Sequence, residues 1–75
     1  MDYLKISDEK VEAATGKEWR QWFSILDKWG AKKHGHATTA VQLQKKYRLS
    51  DWWSQVVTIR YEKERGYWVR HSAGL

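Results

Sequence analysis

Cysteine and proline are both absent from this 75-residue chain. Without cysteine there is no disulfide and no thiolate zinc site, the staples that domains below about 80 residues often use. Without proline, no rigid linker or obligatory helix break interrupts the chain. A cysteine-free chain fits a reducing compartment, so a cytoplasmic location is expected. No stretch approaches the roughly 18 apolar residues of a membrane span. The start, Met1-Asp2-Tyr3-Leu4-Lys5, lacks the basic residues and apolar run of a secretory signal. No membrane contact is expected. The sequence also contains no internal repeat and no low-complexity segment.

What the chain has instead is indole: six tryptophans, with four tyrosines and one phenylalanine. A domain this small buries only about 60% of the surface its unfolded chain exposes. A covered aromatic side chain removes roughly 150–250 Å² from water, so these rings can supply most of a core. The expectation is a single domain over residues 1–75, held by ring packing.

Net charge is +5, and it is unevenly placed. Residues 1–16 carry two lysines and four acids, leaving −2; residues 17–75 carry twelve basic and five acidic residues, leaving +7. Such a balance favours polyanionic partners, although lysine and arginine also solvate ordinary helix faces.

Apolar spacing is helical throughout. Ser7 caps a short predicted helix that opens with Asp8 and Glu9, acids suited to the positive end of the dipole, and Gly16 ends it. Val11 and Ala14 are its apolar residues. Thr15 and Glu18 fit a capping box for a helix over about 17–29. Trp19, Trp22, Phe23, Leu26 and Trp29 make its stripe, and Gly30 stops it. Residues 30–36 read as a basic connection. A third helix is predicted over about 37–47, with Ala40, Leu43 and Tyr47 inward and Val41 at the margin. Leu49 plugs the following turn, and Ser50 caps a helix over about 51–65 that Gly66 closes. Trp53, Val57 and Tyr61 lie on one line of that helix, with Trp52, Val56 and Ile59 beside them. The predicted fold is therefore all-α: a small three-to-four-helix domain with a tryptophan-rich core. Its expected centre is Trp19, Trp22, Phe23, Leu26, Trp29, Leu43, Tyr47, Leu49, Trp53, Val57 and Tyr61. The segment from Tyr67 to His71 either folds back or stays mobile; the sequence leaves both open.

Thr15-Gly16-Lys17, Trp19, Trp22-Phe23, Leu26-Asp27, Gly30-Ala31, His36, Leu43, Trp52-Trp53, Gln55, Val57-Thr58, Tyr61-Glu62 and Arg65-Gly66 form one pattern. It resembles a small bacterial helical domain of unknown function. That domain occurs alone or joined to other small domains, some of them START-like. The resemblance spans residues 11–66 and implies a helical fold. It implies no catalytic residue, cofactor or substrate. Arg60 stands where the family usually has glycine, and Lys32-Lys33 with Lys45-Lys46 make this chain more basic than many members.

Two functions from different classes follow. The predicted helices over 37–47 and 51–65 form a helix–turn–helix-like pair, the geometry that places a second helix in a DNA major groove. Lys32, Lys33, Lys45, Lys46 and Arg48 are the candidate phosphate contacts, and Gln55 and Arg60 the candidate base readers. Bulky Trp52 stands where a DNA reader normally presents a polar group. An exposed Trp52 or Trp68 suits stacking on unpaired bases instead. The alternative is a protein-contact or self-association module anchored by Trp52, Trp68 and Arg60. Catalysis is not expected. His34 and His36 have no cysteine or convincing carboxylate partner for a metal, and Ser50 has no histidine placed to activate it. Glu62 is expected to pair with Arg65 or to accept an indole N–H, and His36 to cap a helix or pack on an indole. No cofactor, metal or small-molecule substrate is expected.

Overall fold

The computed structural model describes residues 5–66, and these form five helices with no strand among them: α1 (Asp8–Thr15), α2 (Trp19–Trp29), α3 (Ala31–His34), α4 (His36–Tyr47) and α5 (Asp51–Arg65). The all-α expectation holds. Residues 67–71, left open by the sequence, lie outside the described residues, as does Trp68.

Each start and stop has a local cause. The Ser7 hydroxyl accepts from Lys10 N–H at 3.1 Å, and the Ser50 hydroxyl accepts from Trp53 N–H at 3.1 Å, as N-caps do. The capping box of α2 lies three residues later than predicted. Glu18 is its N-cap, and the reciprocal partner is Gln21, whose Oε1 accepts from Glu18 N–H at 2.8 Å. Thr15 has a different task. Its hydroxyl donates to Val11 O at 2.6 Å and accepts from the Trp22 indole N–H at 2.9 Å, which stitches α1 to α2.

Gly30 ends α2 at φ 84°, a left-handed conformation that costs a residue with a Cβ on the order of 1–2 kcal/mol. The connection expected over 30–36 contains a turn of helix, α3, and α4 starts at His36. Ala31 anchors α3 in the core, and His34 adds two further contacts. The His34 ring stacks on Trp29 with centroids 3.9 Å apart, and its Nδ1 lies 2.9 Å from Gly30 O.

The core is built from α1, α2, α4 and α5 together. Val11, Trp19, Trp22, Leu26, Leu43, Val56, Val57 and Tyr61 are buried, with Ile6 and Ala31 at the edge of the cluster. Phe23, Trp29, Tyr47, Leu49 and Trp53, expected at the centre, are partly buried and pack around it. The two aromatic layers interlock edge to face, Trp22 on Tyr47 at 5.1 Å and Phe23 on Tyr61 at 5.8 Å between centroids. Trp19 also fixes the chain before α1: its indole N–H donates to Ile6 O at 2.8 Å, while Asp8 accepts from Trp19 N–H at 3.2 Å.

Candidate nucleic-acid interface

α4 and α5 meet through polar as well as apolar groups. Gln44 stands near the position where paired DNA-binding helices usually have a small residue. Here its amide donates across the gap to Asp51 Oδ1 at 3.1 Å and Ser54 Oγ at 3.0 Å. At the other end of α4, His36 reaches α5. Its Nδ1 is 2.9 Å from Glu62 Oε1 and its Nε2 is 2.8 Å from Gln55 Oε1. Both ring nitrogens thus face oxygen acceptors, an arrangement that suits the doubly protonated imidazolium. The hydrogen bond to the Glu62 carboxylate raises the His36 pKa above its ordinary value; burial opposes it, and Gln55 adds to it.

Glu62 is thus paired with His36 rather than with Arg65. Arg65 pairs instead with Asp27, its Nη2 2.7 Å from Oδ2. The same carboxylate accepts from the Tyr61 hydroxyl at 2.6 Å. The Arg65 and Tyr61 hydrogen bonds hold Asp27 below the usual carboxylate range.

The turn between α4 and α5 is where charge and an exposed ring come together. Lys45 and Lys46 end α4, and Arg48 follows as its C-cap. All three are exposed, and none has a carboxylate within 4.0 Å among the described residues. Arg48 has φ 58°, the one left-handed non-glycine residue of the described chain. Trp52, in the first turn of α5, is 43% exposed, with its ring edge-on to the half-buried Trp53 at 4.9 Å. Asp51 is the one acid in this stretch, and Gln44 engages it.

The other candidates lie elsewhere. Lys32 and Lys33 are exposed on α3, which packs against the start of α4, whereas Lys45 and Lys46 lie in the last turn of α4. Gln55 is half-buried and bound to His36. Arg60 Nη1 donates to Ile6 O at 3.1 Å, its Nε pairs with Glu64 at 3.0 Å, and its guanidinium lies 4.6 Å from the Trp19 ring centroid. Both proposed base readers therefore hold internal contacts here. Among the described residues, no group of three or more metal-binding side chains converges and no helix is long and apolar enough to cross a membrane.

No family model, curated protein or solved structure matches this chain.

Proposed function

We propose that this protein is a non-catalytic nucleic-acid-binding module that holds phosphates with Lys45, Lys46 and Arg48 and stacks an unpaired base on Trp52. The observation that carries the reading is the α4–α5 turn itself. Three exposed cations without carboxylate partners, Lys45, Lys46 and Arg48, come within seven residues of an exposed indole, Trp52. Cations give affinity without sequence information, and an aromatic face accepts any base. With Gln55 and Arg60 engaged inside the fold, the surface favours single strands over a duplex read through its major groove. Arg48 adds a physical hint. A left-handed C-cap favours glycine, so an arginine there trades backbone ease for charge at the turn.

Fluorescence anisotropy with single-stranded and duplex oligonucleotides of equal length tests this reading. Tighter single-strand binding is expected. Trp52→Ala is expected to weaken single-strand binding by the equivalent of about 1–3 kcal/mol and to leave duplex binding nearly unchanged. Equal loss on both substrates, or no binding at low salt, contradicts it.

A second reading keeps one observation in its favour. Val41, 44% exposed, and Trp52 are the large apolar side chains that stand out most among the described residues. They would anchor a partner protein or a second copy. Sedimentation showing a stable dimer that Trp52→Ala dissolves would favour that reading.

A further inference from the structure

α2 and α4 leave a cleft of about 300 Å³ between them. That is the lower end of the roughly 300–1,000 Å³ typical of small-molecule sites. We infer that this cleft binds a small aromatic carboxylate. Leu26 and Leu43 contribute core side chains to it, and Trp29 and Tyr47 contribute aromatic surface. Each of those rings is braced by another, Trp29 by His34 and Tyr47 by Trp22. Braced walls lose little freedom when a ligand arrives.

The charges lining the cleft have one sign. Lys28 and Lys46 line it, and no carboxylate does. Lys46 Nζ lies 5.8 Å from the Tyr47 ring centroid, and Lys17 Nζ approaches the same ring at 6.0 Å. Among the described residues, none of these three lysines has a carboxylate within 4.0 Å. The acid next to Lys28 in the chain, Asp27, is held by Tyr61 and Arg65 of α5.

Apolar and aromatic surface with ammonium groups that lack counterions selects a flat apolar body carrying one anionic group. A neutral aromatic forgoes the ammonium groups, a cationic one is repelled, and a purely hydrophilic anion gains nothing from the apolar surface. The site is distinct from the α4–α5 turn except for Lys46, which both use.

The test is an amide-correlation NMR titration of the full ¹⁵N-labelled chain with three probes of one shape: naphthoate, naphthylmethanol and naphthylmethylammonium. Saturable shifts are expected at the Trp29 indole and at residues 25–29 and 42–47. Naphthoate is expected to bind about fivefold more tightly than the alcohol, the scale of an exposed ion pair. Lys28→Gln combined with Lys46→Gln is expected to erase that preference. Gln42→Phe, which fills the cleft from a half-buried position, is expected to abolish binding of all three probes. Should Gln42→Phe lose its dispersed spectrum, the double lysine variant decides alone. Absence of saturable shifts at about 5 mM naphthoate overturns the inference, whether the cleft closes or another stretch of chain fills it. Equal affinity for the three probes, or shifts centred on Trp52, overturns it as well.

Discussion

At Arg48, backbone stability and the proposed phosphate contact pull in opposite directions. Its left-handed backbone costs on the order of 1–2 kcal/mol that glycine avoids, while glycine surrenders roughly 0.5–1 kcal/mol more chain entropy. Arg48→Gly is therefore expected to leave stability unchanged or raise it by up to about 1.5 kcal/mol. It also removes one of the three turn cations. Denaturant unfolding beside an oligonucleotide titration reads both effects: weaker binding by a protein at least as stable supports a phosphate contact. Unchanged binding would mean that this cation contributes nothing. Trp52 and Trp53 make a similar contrast between neighbours. One helical step of 100° sends Trp53 against the core and leaves Trp52 43% exposed.

At the scale of elements, His36 is the clasp between α4 and α5. Its pKa is raised in the fold, so the folded state holds the proton more tightly than the unfolded chain does. The stabilisation is then full below the ordinary imidazole value of about 6.5 and is lost as pH rises through the folded value. Asp27 works in the opposite direction. Its lowered pKa gives stability that is full above the usual carboxylate value and falls away as pH drops through the folded one. Unfolding free energy is expected to be highest between about pH 4.5 and 6.5 and to decline toward pH 8. His36→Gln is expected to flatten the alkaline decline in denaturation curves followed by tryptophan fluorescence. An equally steep decline in the variant would assign it to another group.

The clasp also marks the limit of what the sequence discloses. The stripe of α2 and the caps Ser7 and Ser50 are legible because their signals repeat or act within four residues. His36, Gln55 and Glu62 are 19 and 26 residues apart, and no local spacing announces their contact. Glu62 sits three residues from Arg65, the partner that spacing suggests, yet it is 6% exposed and turned to His36. Ser54 and Thr58 are buried for a related reason: their hydroxyls donate to the backbone carbonyls of Asp51 and Ser54, at 2.8 and 2.7 Å. The Ala-Lys-Lys-His of α3 reads as a loop because its support is the Trp29–His34 stack, which composition does not reveal. Of the candidate site, the turn cations were legible as a charge cluster. The internal engagement of Gln55 and Arg60 was not, since it depends on partners brought in by the fold.

For the molecule as a whole, the aromatic core carries the stability that disulfides, ruled out by the lack of cysteine, cannot supply. Trp22 is fully buried, hydrogen-bonded through its indole N–H to Thr15, and edge-on to Tyr47. Trp22→Ala is expected to cost about 3–5 kcal/mol, most of what a 75-residue domain has. Trp53→Ala is expected to cost less, because half-buried rings leave less surface to lose. Chemical denaturation checks both, and a Trp22→Ala loss below about 1 kcal/mol would contradict the packing described. The α4–α5 turn holds Lys45, Lys46 and Arg48 exposed, with no carboxylate within 4.0 Å among the described residues. The most direct measurement of their proposed role is the salt dependence of single-strand affinity in the native chain and in a variant with Lys45, Lys46 and Arg48 all changed to Gln. Each phosphate neutralised contributes about 0.7 to the slope of log affinity against log salt, so the slope is expected to fall by about two in the variant. An unchanged slope would place the phosphate contacts elsewhere and contradict the account.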